Sequence, residues 1–85
     1  MEWIDRLAEG LGVEPLTEPE TTRLLATARE VAHRVERKIT PLAAFQLGVA
    51  VGRSEAGGAG RETAFTRALE MLIHRLPEAT ADEPP

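Results

Sequence analysis

The segment from Leu42 to Gly52 constrains the fold of this chain more than any other. Across its eleven residues Gln46 is the one polar side chain, and none is charged. The preceding pair, Thr40 and Pro41, is typical of a helix start, because proline needs no N–H in the first turn. Apolar residues occupy most of the helical circumference, whereas a peripheral helix has a polar half. The segment therefore predicts a third helix that other helices enclose. The side chains expected to fill the core are Leu42, Phe45, Leu47, Val49 and Val51.

Three further segments carry apolar residues at helical spacing and are predicted as helices over residues 2–11, 18–38 and 61–76. Thr17 and Glu20 match a capping box at the start of the second helix. A glycine-rich stretch over residues 53–60 breaks the pattern and predicts a flexible loop. The predicted fold is all-α: a compact four-helix domain over residues 1–77, followed by a disordered, acidic, proline-containing tail over 78–85.

Size and charge exclude several classes of protein. The 85 residues suffice for one domain, and the absence of cysteine leaves burial alone to stabilise it and favours a cytoplasmic location. Ten basic and 14 acidic residues give a net charge of −4 without a basic stripe, so we expect no nucleic-acid binding. No apolar run approaches the roughly 18–20 residues of a membrane span, so we expect no membrane insertion.

The sequence offers no arrangement typical of catalysis, of a metal site or of a cofactor site. His33 and His74 are the two histidines, and both project to polar sides of predicted helices without a spacing such as H-E-x-x-H. Ser54 is the one serine, and no base lies beside it by spacing. We therefore expect a protein that is not an enzyme and needs no metal or cofactor.

A stripe of small residues, Ala44, Gly48 and Gly52, recurs at four-residue spacing along the third predicted helix. Glycine inside a helix costs about 1 kcal/mol relative to alanine, so packing should offset that cost. One interpretation is close packing of two helices within the domain. The other is a groove that accepts a helix from another chain, a homodimer mate included. The substitution Gly48→Leu should unfold the domain in the first case or break association in the second.

Two polar regions are candidate binding surfaces. The first links the second and third predicted helices and contains His33, Arg34, Glu36, Arg37 and Lys38. Its basic excess fits either a favourable interaction with the helix dipole or docking to an acidic protein surface or a phosphate-bearing ligand.

The second candidate is the glycine-rich loop with its flanking arginines, namely Arg53, Gly58, Gly60 and Arg61. Free N–H groups before a helix favour an anion, but the lysine and the preceding strand of a phosphate-binding motif are missing. We interpret the loop as a hinge, and binding of a small ligand or nucleotide there is the alternative function.

Several residues together resemble a known family. They are the segments 2–5, 11–13 and 31–34, with Glu36, Arg37, Pro41, Leu42, Phe45, Gly48 and Gly52. The pattern spans about residues 2–76 and is similar to small bacterial domains of unknown function, found alone or attached to nucleotidyltransferases that resemble molybdenum-cofactor guanylyltransferase.

This resemblance implies an accessory or docking role near molybdopterin-guanine dinucleotide assembly. It draws attention to the residues that link the second and third helices: His33, Arg34, Glu36, Arg37 and Pro41. The expected function is a non-enzymatic interaction or accessory module that acts with a protein partner or as a homodimer.

Overall fold

A computed structural model describes residues 2–78 of the chain, which form an all-α domain. Its helices are α1 (Glu2–Leu11), α2 (Glu18–Arg34), α3 (Thr40–Ala56) and α4 (Arg61–Arg75), with a short 3₁₀ helix at Arg37–Ile39. The predicted four-helix fold is confirmed, and the described part of the chain contains no strand. Apart from Glu78, the tail predicted over 78–85 lies outside the described residues.

Local sequence signals set the helix starts. The hydroxyl of Thr17 accepts a hydrogen bond from the Glu20 backbone N–H at 3.2 Å, and the Glu20 carboxylate accepts one from the Thr17 N–H at 2.9 Å. The predicted capping box is therefore confirmed. At the start of α3, Pro41 lies in the first turn as predicted, but Ile39 is the capping residue and the Thr40 hydroxyl is buried without a hydrogen-bond partner.

Two predicted boundaries are wrong. Helix α2 ends at Arg34 and not at residue 38, because Val35 leaves the helical conformation (φ −115°, ψ −84°) and Glu36 is extended. Helix α3 continues to Ala56, so the predicted loop over 53–60 shrinks to residues 57–60. Residues 53–56 contain no glycine or proline that would end a helix. The turn that ends α3 requires the positive φ of 107° at Gly58, which glycine adopts without a steric cost.

The hydrophobic core lies among α2, α3 and α4. Leu47, Phe65 and Leu69 form its buried centre. The half-buried side chains that pack around this centre are Leu24, Val51, Ala68 and Leu72. From α1, the residue that becomes buried is Ala8. Helix α1 therefore borders the core more than it helps to build it.

The prediction that α3 is enclosed is wrong. Leu47 is buried and Val51 half-buried, but the side chains of Leu42, Phe45 and Val49 stay 59%, 73% and 45% exposed. At about 100° per residue these three project away from Leu47, the α3 residue at the centre of the core. An apolar circumference calls for neighbours on every side, but the described helices cover only one side of α3.

Candidate interaction surface

The outer face of α3, which we define as Leu42, Phe45 and Val49, is an exposed apolar surface. Phe45 has the highest exposure among the large hydrophobic residues that the structure describes. No charged residue occurs from Thr40 to Gly52. Contiguous exposed apolar surface on a small domain marks sites of interaction with another molecule. The outer face is therefore suited to burial against a second apolar surface.

An apolar groove of about 410 Å³ runs between α1 and α3. Its α1 wall includes Ile4, Leu7 and Leu11, and its α3 wall includes Ala44, Gly48 and Gly52. On the helical projection Gly52 is a neighbour of Phe45, so the groove and the outer face form one continuous surface. We call this groove the α1–α3 groove.

The small-residue stripe has no close neighbour within the described chain. A Cβ placed on Gly48 or Gly52 would meet no atom within 4 Å beyond the adjoining residues and backbone of α3 itself. The close helix packing predicted for Ala44, Gly48 and Gly52 therefore does not occur at these two glycines inside the domain. The stripe forms one wall of an open groove instead, and its use by a helix of another chain stays a prediction.

A clamp made by Arg61 holds the connector between α1 and α2 against the start of α4. The Arg61 Nε and Nη2 atoms each donate to a carboxylate oxygen of Glu20 at 2.8 Å. The same guanidinium donates to the backbone carbonyls of Pro15 at 3.1 Å and Glu14 at 3.4 Å. Because the connector leads directly from α1, this clamp fixes the position of one wall of the α1–α3 groove.

The electrostatics of the clamp follow from its geometry. The Glu20 side chain is 12% exposed and that of Arg61 30%, so the bidentate pair is largely shielded from water. The hydrogen bond from Arg61 lowers the pKa of the Glu20 carboxyl, against the opposing effect of burial. The same bond raises the pKa of Arg61. The sequence pattern places Glu20 in the capping box alone, and no local signal links it to Arg61, 41 residues away.

Backbone N–H groups of the glycine-rich loop form hydrogen bonds within the domain. The backbone N–H groups of Gly57, Gly58 and Ala59 donate to carbonyls at the end of α3. Gly60 caps α4 through its extended backbone, and Arg61 is engaged by the clamp. Arg53 is exposed in the last turn of α3. Anion binding by Arg53, Gly58, Gly60 and Arg61 stays a prediction that this geometry does not strengthen.

The polar residues predicted between α2 and α3 do come together at one turn. Arg34 Nε lies 2.9 Å from Glu30 Oε1, and Lys38 Nζ lies 3.7 Å from Glu36 Oε2. His33 and Arg37 are exposed beside these ion pairs. Pro41 and Leu42 follow at once, so the turn adjoins the outer face. Contact of this charged turn, residues 33–38, with a partner stays a prediction.

A second cleft, of about 370 Å³, lies beside the clamp and has Arg23 and Arg61 in its lining. The Arg23 guanidinium sits 5.2 Å from the centre of the Phe65 ring and donates to the Thr66 hydroxyl at 3.2 Å. Both cations of this cleft are therefore engaged by the domain itself.

Residues 2–78 offer neither a metal site nor a membrane-spanning helix. No group of three or more histidine, cysteine or acidic side chains is placed to hold a metal ion. No helix in this range has the length and apolar character needed to cross a bilayer.

The family assignment comes from the sequence as a whole. A model of a domain of unknown function, DUF6457, matches residues 1–83. The chain belongs to the DUF6457 family. The match confirms the predicted membership in a family of small domains of unknown function. No curated protein and no solved structure matches this DUF6457 chain.

Proposed function

We propose that this DUF6457 domain is a non-enzymatic interaction module that binds an apolar α-helix along the outer face of α3 and the adjoining α1–α3 groove. The observation that carries the proposal is the exposure of Leu42, Phe45 and Val49. The described domain buries six hydrophobic residues and leaves twelve large hydrophobic residues exposed. A small domain with so limited a core gains stability when a partner covers its apolar surface.

The magnitude of this gain is consistent with reversible binding. The three side chains of the outer face expose on the order of 300 Å² of apolar surface, if each would expose roughly 150–200 Å² in full. Burial of that area contributes about 8 kcal/mol at about 25 cal/mol per Å². Association costs about 4–15 kcal/mol in lost translational and rotational freedom. A stable complex therefore also needs contacts in the groove, for which Leu7 and Leu11 are available.

The shape of the surface favours a helix as the bound element. Leu42, Phe45 and Val49 follow the i, i+3, i+7 spacing with which one helix packs along another. The glycines beside them lack side chains, so the backbone of a second helix can come close to α3. No charge lies on α3 between Thr40 and Gly52, so a helix docked on this stretch covers no charged side chain of α3.

We further propose that the charged turn is a separate docking site, for a protein of molybdopterin-guanine dinucleotide assembly. The resemblance of this chain to domains attached to guanylyltransferase-like nucleotidyltransferases supports the assignment. The basic excess of the turn suits an acidic surface on that partner. In a titration with such a nucleotidyltransferase from the same host, Arg37→Glu should weaken binding and Phe45→Glu should leave it unchanged. Absence of binding up to the solubility limit would contradict this assignment.

The interaction module itself is tested by crosslinking in the native host. A photoreactive phenylalanine analogue at position 45 should form an adduct, and mass spectrometry should map the other end to a helical segment. The same analogue at Arg29, which is exposed on α2, is the matched control and should form none. A folded domain that gives no adduct at position 45 would overturn the proposal, whether the expected partner is the same chain or another protein.

A further inference from the structure

The outer face is part of a longer seam along α3. The seam consists of exposed residues spaced i, i+3, i+7, i+10 and i+14: Leu42, Phe45, Val49, Gly52 and Ala56. This alternation of three and four residues is the spacing of a helix that packs against another helix over several turns. The large side chains occupy the first half of the seam, and the small residues occupy the second half.

We infer that the occupant of the outer face is a second copy of this chain, with the two α3 helices antiparallel about a two-fold axis between Gly48 and Val49. The inference rests on the proposed function and names its partner. In this arrangement Phe45 of one copy lies level with Gly52 of the other, and Val49 lies level with Gly48. Phe45 and Val49 then each face a glycine of the other copy, as a self-complementary two-fold interface requires, and Leu42 lies level with Glu55 at the edge of the seam.

The open space at the glycines agrees with this pairing. Apart from the adjoining residues and backbone of α3 itself, no atom of the described chain lies within 4 Å of a Cβ built on Gly48 or Gly52, so both positions are free to receive a side chain. A parallel pair would place Phe45 against Phe45 and Gly52 against Gly52. That alternative crowds one end of the seam and leaves a gap at the other, which lowers the packing density on which helix association depends.

The available area also fits a dimer. With Leu7 and Leu11 at 39% and 66% exposure, and with the small residues of the groove, each copy offers roughly 600–700 Å² of apolar surface. A stable protein interface buries about 800 Å² per partner. The polar side chains around the seam supply the rest of the area that each copy buries in the dimer.

Engineered disulfides test the pairing, because the chain has no cysteine of its own. In the antiparallel dimer the two copies of residue 49 are offset by about 1.5 Å along the helix axis, and the two copies of residue 56 by about 22 Å. A disulfide requires Cα atoms within about 7 Å. Under mild oxidation Val49→Cys should therefore link to itself, whereas Ala56→Cys should not. The exposed position Ala26 on α2 provides the control, Ala26→Cys, which should stay unlinked.

A second substitution separates association from folding. Phe45→Glu in the Val49→Cys background should weaken self-association at least about 30-fold and abolish the link, while circular dichroism shows unchanged helix content. Efficient linking of Ala56→Cys would replace the antiparallel arrangement with a parallel one. A folded Val49→Cys chain that stays unlinked would overturn the second copy as occupant. If crosslinking at position 45 in the host then finds a different protein, the interaction module stands and the inference of a dimer fails.

Discussion

The two phenylalanines of this chain should differ in how strongly their truncation to alanine destabilises the domain. Phe65 is 6% exposed and packs with Leu47 and Leu69, so Phe65→Ala should lower the free energy of unfolding by about 3–5 kcal/mol. Phe45 is 73% exposed and buries only about 50 Å², so Phe45→Ala should cost the monomer at most about 1 kcal/mol. A domain of this size has roughly 4–13 kcal/mol of stability in total. Phe65→Ala should therefore bring the domain close to unfolding, and Phe45→Ala should not.

Urea denaturation followed by far-ultraviolet circular dichroism measures this difference. Backbone helicity is the better probe, because Trp3, the one tryptophan, is already 66% exposed in the folded chain. At low protein concentration the two variants should differ by at least about 2 kcal/mol. At high concentration the cost of Phe45→Ala should grow, since dimerisation then contributes to the stability of the wild type. Equal destabilisation by both variants at low concentration would refute the assignment of Phe45 to an interface.

Three other substitutions test the α1–α3 groove and the clamp. Gly48→Leu should raise the unfolding free energy of the monomer by roughly 0.5–1 kcal/mol, because leucine favours a helix, and should abolish self-association; an unfolded variant would contradict the open space seen at this glycine. Arg61→Met removes the clamp and should cost about 2 kcal/mol in urea denaturation, with faster amide exchange in the connector; an unchanged exchange rate would rule out the clamp. Because the pKa of Glu20 lies below its ordinary value of 4.5, its stabilising effect should be complete above that pH and be lost as the pH falls through the lowered value. Glu20→Gln keeps a capping side chain and should flatten this acid dependence; an acid profile identical to that of the wild type would contradict it.

Local signals in the sequence predicted the helices well. The bounds of α1 and the capping box of α2 follow from residues within one or two turns of each other, so no tertiary information is needed. The end of α2 was missed because Val35 carries no glycine or proline signal. The predicted end of α3, at Gly52, is four residues too early, since the chain leaves the helix only after Ala56.

The candidate site was less predictable, since its features depend on which other elements are present. A helix that is apolar all round has the same pattern whether it lies in a core or at an interface, and composition does not show that no further helix of residues 2–78 covers Phe45. The same ambiguity affects Gly48, because a smooth stripe suits an internal or an external neighbour equally. The pair formed by Arg61 and Glu20 depends on the packing of α4 beside α2, which no local pattern specifies.

The mass of the domain in solution tests the central claim most directly. Sedimentation equilibrium of the wild-type chain should give twice the chain mass of 9.2 kDa, and Phe45→Glu should give the single-chain mass with unchanged helix content. A wild-type mass of one chain at every concentration would contradict self-association through the outer face of α3. A Phe45→Glu dimer would show that the copies meet elsewhere.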